Sequence, residues 1–160
     1  MPGTIAARLM AKGLELPTPV MPVGTYVTSV RTGNLAVFSG HGPLREGGKS
    51  KFQGRVGVHF SIEEASEIAI GATLNVMASA QALLGDLDEI ECILTANGFV
   101  ACDGEITNPV AVFEPALTLL SELFGSPPAA TVMPAVSLPN NIPVLLEVIA
   151  KVRSGEASPD

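Results

Sequence analysis

The sequence predicts one α+β domain built on a mixed sheet. Three observations carry that reading. Two segments, 62–84 and 109–124, repeat apolar residues at helical spacing. Five or six shorter segments are rich in β-branched residues and bounded by Gly, Pro or Asn. The two kinds of segment follow the order ββ(β)αβαββ, in which both helices can cover one face of a sheet. At 160 residues and 16.5 kDa the chain can bury a core without disulfides or a metal. The expected layout is a single domain over 1–160, with an N-terminal extension over 1–19, a core over about 20–153 and a polar tail over 154–160.

Residues 4–12 predict a short helix with Thr4 as its cap. Pro17, Pro19 and Pro22 then deny backbone donors and keep the chain extended. Strands are expected at 25–31 and 34–40, joined by the turn Thr32-Gly33-Asn34. Gly40, Gly42, Gly47 and Gly48 mark a loop or second hairpin, and a short strand is expected near Gln53–Val58. The helix at 62–84 has the plainest start signal: Ser61 followed three residues later by Glu64, a capping box. Gly85 stops it. A strand follows at 90–100, where Cys92 alternates with Ile90 and Leu94 and so reads as core. The second helix opens at Pro109, a residue suited to a first turn, and contains Pro115, which is expected to delay or kink it. Strands at 131–138 and 143–152 close the chain around a turn at Pro139-Asn140-Asn141.

Composition excludes several functions. Apolar residues make up 47% and charged residues 16%, with a mean hydropathy of +0.41. No run approaches the roughly 18 consecutive apolar residues of a membrane span. So apolar and charge-poor a surface points to self-association. Nine basic against 16 acidic residues, with one Tyr and no Trp, argue against a nucleic-acid partner. The start MPGTIAARLMAKG lacks the apolar run of a secretory signal, and Cys92 and Cys102 read as reduced thiols, so a cytoplasmic location is expected.

Three apparent motifs fail on spacing. In GHGPLREGGKS the first glycine of a phosphate loop would fall at Pro43, and no helix follows Ser50. His41 and His59 lie 18 apart with no compact cluster of ligands, so no metal is expected. Ser39-Gly40-His41 lacks the nucleophile elbow. Cys102 beside Asp103 makes a poor nucleophile, because nearby negative charge raises a thiol's pKa.

Three stretches together carry a resemblance. They are TYVTSVRTGNLAVFSGHGPL, LNVMASAQALLGDLDEIECILTANGFV and ATVMPAVSLPNNIPVLLEVIAKV, in that order over residues 20–153. They resemble the RidA/YjgF/L-PSP family in its longer form. The resemblance implies a fold like the bacillus type of chorismate mutase, with two helices on one sheet face, a closing hairpin and a trimeric barrel with ligand clefts between subunits. It implies hydrolysis of reactive imines or enamines to ammonia and a carbonyl compound, without cofactor. An endoribonuclease label also attaches to the family, and the acidic charge here gives it no support.

Residue by residue, Tyr26 falls at the family's pocket tyrosine, and Ser39 and Gly40 at its strand-end Ser-Gly. His41 replaces the usual Gln. Glu147 falls at the closing-strand carboxylate held to position the attacking water. The chief departure is Ala130, with Thr131 after it, where family deaminases carry an Arg that clamps the substrate carboxylate. Losing such a pair costs roughly 2–5 kcal/mol of binding. Arg31 or Arg45 are candidate substitutes from a neighbouring position or subunit. Glu114, where the family has Asn, joins Glu147 and His41 as a candidate catalytic group. Two carboxylates in one cleft would divide acid and base roles and favour a cationic or neutral substrate, with His41 assisting from the cleft edge. The expected function is acid–base chemistry at a C=N or C–N bond of a small polar molecule: imine hydrolysis, or dehydration or cyclisation of an amino- or guanidino-carbonyl compound. The alternative is a trimeric binding or chaperone-like scaffold that has lost the chemistry.

Overall fold

The computed structural model describes residues 3–154. Five strands form one mixed sheet and three helices pack on one of its faces. In chain order the elements are α1 (Thr4–Ala11), β1 (Ser29–Thr32), β2 (Leu35–His41), a small hairpin of β3 (Arg45–Glu46) and β4 (Lys49–Ser50), α2 (Ile62–Leu84), β5 (Ile90–Ala101), α3 (Val110–Phe124), β6 (Ala129–Ala135) and β7 (Val144–Val152). The sheet order is β1-β2-β7-β5-β6, with β5 and β6 parallel and every other pair antiparallel. β6 and β7 therefore do not form the closing hairpin the resemblance implied. β7 enters between β2 and β5, and β5 separates it from β6.

α2 starts as expected: Ser61 Oγ accepts from Glu64 N at 3.1 Å, and Glu64 Oε2 accepts from Ser61 N at 2.8 Å. By length and hydropathy α2 could cross a membrane, but two-thirds of its apolar window is buried within the protein. Pro115 neither delays nor breaks α3. A proline there leaves the carbonyl four residues earlier without its helical donor, and Ser66 Oγ of α2 donates to that carbonyl, on Ala111, at 3.3 Å.

Several boundaries move for tertiary reasons. α1 is capped at Gly3 rather than Thr4, and its free N–H groups are satisfied from 83 residues away. Asp88 accepts from Thr4 N at 2.6 Å and from Ile5 N at 2.8 Å. These bonds hold the Asp88 carboxyl below its usual range. Ile5 and Leu9 bring α1 into the core, and Arg8 donates to the Leu123 carbonyl at the end of α3. β1 begins at Ser29, not 25, because β2 leaves regular pairing after Phe38, the partner of Ser29. No strand forms at 53–58, where Val56 makes isolated bridges to Phe60 and Cys102. Two register shifts in β5 turn Cys92 out of the core to a half-buried position. Cys102 is the buried cysteine, and burial above all raises its thiol pKa. Residues 155–160, most of the expected polar tail, lie outside the described residues.

The covered face is aliphatic. On β7, Val144, Leu146, Val148, Ala150 and Val152 point into a core shared with Phe38, Met77, Phe113 and Leu120. The intervening residues Leu145, Glu147, Ile149 and Lys151 point away from the helices and are only half-buried.

Candidate active site

The open face of the sheet carries the candidate site at the middle of β7. Phe38 pairs with Val148 and His41 with Leu146, so Ser39 and Gly40 together oppose the single residue Glu147. This is a β-bulge, two residues against one. Gly40 is required by the contact it makes: a Cβ there would lie 2.8 Å from Leu145 Cδ2. On the other side of β7, Glu147 pairs with Asn97, and Asn97 pairs in turn with Thr131. Cross-strand partners share a face, so Ser39-Gly40, Glu147, Asn97 and Thr131 form one band across the sheet.

Asn97 is the residue the sequence reading missed. Its Nδ2 donates to Glu147 Oε1 at 3.0 Å, which fixes the carboxylate and leaves Oε2 without a described protein donor. The one signal in the sequence is an amide side chain in phase with Thr95 and Phe99 on a strand. Its partner is visible only once the register is known. The Thr95 hydroxyl, two residues along the same face, is buried with no hydrogen-bond partner.

The remaining expected site residues are distributed differently. Tyr26, 49% exposed, lies in the segment before β1. That segment is tied to the bulge, because the Thr28 carbonyl accepts from Ser39 N at 3.0 Å and from Ser39 Oγ at 3.3 Å. His41 does not sit at a cleft edge. It is 1% exposed, on the helix-covered side, with Nδ1 2.6 Å from the Ser39 carbonyl and Nε2 2.8 Å from Ser79 Oγ of α2. Burial lowers its pKa, against the effect of the Ser39 bond, so the ring is neutral at pH 7.

Ala130 pairs with Ala96, a core residue, and so takes the covered face while Thr131 takes the open one. Glu114 lies in the helix layer, beside Lys12, Leu14, Ile70 and Glu122, on a groove of about 400 Å³. Within one chain the sheet separates Glu114 from Glu147, and no two-carboxylate pocket forms. Neither arginine named as a substitute clamp reaches the band from the same chain. Arg31 donates to the Arg153 carbonyl at 2.7 Å, and Arg45 lies in the β3–β4 hairpin.

The five-stranded mixed sheet with its helices on one face defines the class as α+β. A profile of the family described as "YjgF/chorismate_mutase-like, putative endoribonuclease" matches residues 6–150. The chain belongs to this family. It is 31% identical over 123 residues to protein TCP17 of Trypanosoma cruzi, covering 77% of this chain and 76% of that one. Among solved structures it is similar to a "putative endoribonuclease" of Shewanella oneidensis MR-1. That match has 27% identity and a TM-score of 0.88 over 94% of this chain and 100% of the other. It is likewise similar to Atu1372 of Agrobacterium tumefaciens, a protein of unknown function, with 31% identity and a TM-score of 0.85 over 94% and 93%.

Proposed function

We propose that this protein is a RidA-like enzyme that adds or removes water at a C=N bond of a small polar molecule, with Glu147 as its acid–base group. The observation that carries the reading is the Glu147–Asn97 pair. A carboxylate held by an amide at 3.0 Å on the open face keeps one oxygen to orient water. In hydrolysis, water adds to the imine carbon as Glu147 takes a proton from it. The nitrogen gains a proton to give a carbinolamine. The C–N bond then breaks, releasing ammonia and leaving a carbonyl. Dehydrative imine formation runs through the same intermediate in reverse. No organic or metal cofactor is needed for either direction.

The open face supports a homotrimer, in which these faces line a central barrel and the clefts lie between subunits. Val30, Val37, Leu145, Ile149 and Met133 make much of that face apolar and half-buried or exposed in the single chain, and such surface is removed from water by self-association. With no arginine among the described residues of the same chain reaching the Glu147 band, amine- or guanidine-bearing carbonyl substrates are favoured over 2-imino acids. Single-domain organisation over 1–160 and a cytoplasmic location complete the reading.

The test is Glu147→Gln, assayed for ammonia release from imines generated in situ and for loss of water from amino- and guanidino-carbonyl compounds by mass. An enzyme loses most turnover while keeping its assembly. If wild type turns over neither class, and Glu147→Gln keeps all ligand binding and the trimer, the scaffold reading replaces this one. A thermal-shift panel at matched ionic strength separates the substrate classes. Stabilisation by cations supports the amine- or guanidine-bearing substrate class, and stabilisation by 2-oxo acids restores ordinary family deamination.

A further inference from the structure

We infer that His41 is the positioning residue of the Glu147 site: from the covered side of the sheet it pins the Ser39–Gly40 bulge that stands opposite Glu147. The functional meaning of that role rests on Glu147 being the reacting carboxylate, as proposed above.

The bulge creates the need for a pin. Where two residues of β2 face one of β7, the ladder cannot pair every backbone group, and a buried carbonyl without a donor is costly. The Ser39 carbonyl finds its donor in the ring two residues on. A carbonyl only accepts, so Nδ1 must carry the proton and Nε2 must accept from the Ser79 hydroxyl at 2.8 Å. One turn earlier on α2, Asn75 Nδ2 donates to the carbonyls of Gly42 at 3.0 Å and Pro43 at 3.1 Å. His41, Asn75 and Ser79 are 1%, 2% and 2% exposed. The interior of α2 thus holds a short polar seam whose partners all lie in residues 39–43, the stretch that shapes the candidate site. Aliphatic side chains would fill this space without leaving polar groups to satisfy, so the seam is explained by the strand it holds.

The surroundings make the pin sensitive to protons. α2 presents Ser79 and Asn75 to this stretch, β7 presents Leu146, and the charged group that acts on the ring is Arg45. None of these is a carboxylate. A second proton on the ring turns Nε2 into a donor and forces the Ser79 hydroxyl to turn its own proton away. Acid therefore places a charge behind the bulge with no carboxylate to pair it, and the seam that sets the strand opposite Glu147 must rearrange.

The experiment is a nitrogen-15 NMR titration of the full chain from pH 8 to pH 5, following the His41 ring nitrogens and the amides of Ser39, Gly40 and Glu147. The expected result is an Nδ1-protonated ring at neutral pH and three amides that move with the His41 midpoint, while the Gly33 amide in the distant hairpin turn does not. An Nε2-protonated ring, or a Glu147 amide that ignores the His41 midpoint, overturns the inference. His41→Gln, which keeps a donor, should preserve the three amide positions and abolish their pH dependence. His41→Leu should move them and lower kcat on the order of tenfold or more with little change in KM. If His41→Leu does not fold, the wild-type titration and His41→Gln decide alone. Failure of the functional reading is separable: Glu147→Gln would leave turnover untouched while the titration still behaved as expected.

Discussion

The two faces of the sheet are made by alternate residues of the same strands, yet they are different materials. On β7 the covered side reads Val, Leu, Val, Ala, Val, all buried, and the open side reads Leu, Glu, Ile, Lys, all half-buried. The covered side is finished within one chain. The open side holds the Glu147–Asn97 pair and the partnerless Thr95 hydroxyl, and much of its apolar surface remains half-buried or exposed. The difference teaches that the core and the candidate site occupy opposite phases of one alternation. A substitution can be directed at either by moving a single residue along the strand.

Phe38→Ala, on the covered side, should break the comparison most. It empties a fully buried site and should cost about 3–5 kcal/mol in denaturant unfolding. Acid should act next, through His41. Its folded-state pKa lies below the unfolded value near 6.5. The stability from burying a neutral ring is therefore complete above that value and is lost as pH falls through it. Unfolding midpoints measured from pH 7.5 to 5 should decline more steeply in wild type than in His41→Gln. Asp88→Ala should cost about 1 kcal/mol, the loss of a helix cap, and should release the amides of α1 to faster hydrogen exchange. The smallest stability effect is expected on the open side. Ile149→Ser should change the unfolding of the isolated chain by about 0.5 kcal/mol or less, while shifting the mass measured by light scattering toward monomer. A large loss of monomer stability with unchanged mass would erase the distinction between the faces.

What the sequence disclosed divides along the same line between local and distant causes. The capping box of α2, its glycine stop and the Gly33-Asn34 turn between β1 and β2 are short-range chemistry and could be read directly. The bulge at Ser39-Gly40, the cap that Asp88 supplies to α1 and the Ser66 bond that compensates Pro115 join residues 45 or more positions apart, and no local pattern announces them. The same holds for the site. Glu147, Ser39, Gly40 and Thr131 were legible through the family resemblance. Asn97 was not, because an asparagine in a strand becomes meaningful only when its neighbour across the sheet is known. His41 was assigned to the cleft because it follows the Ser-Gly pair in sequence. Strand alternation alone would keep it on the face of Ser39, and the bulge turns it to the other side.

Among the described strands, the one at the centre of the sheet is made last. Until residues 144–152 leave the exit tunnel, β2 and β5 have no common neighbour, and the β5–α3–β6 unit and the β1–β2 hairpin are two fragments with bare edges. Insertion of this strand joins the fragments, buries the aliphatic core and delivers Glu147 between Ser39-Gly40 and Asn97. Premature termination or slow translation just upstream would leave two edges open to pairing with other chains. The strand that completes the core also carries the candidate catalytic carboxylate, so a chain arrested before β7 lacks the site as well as the fold.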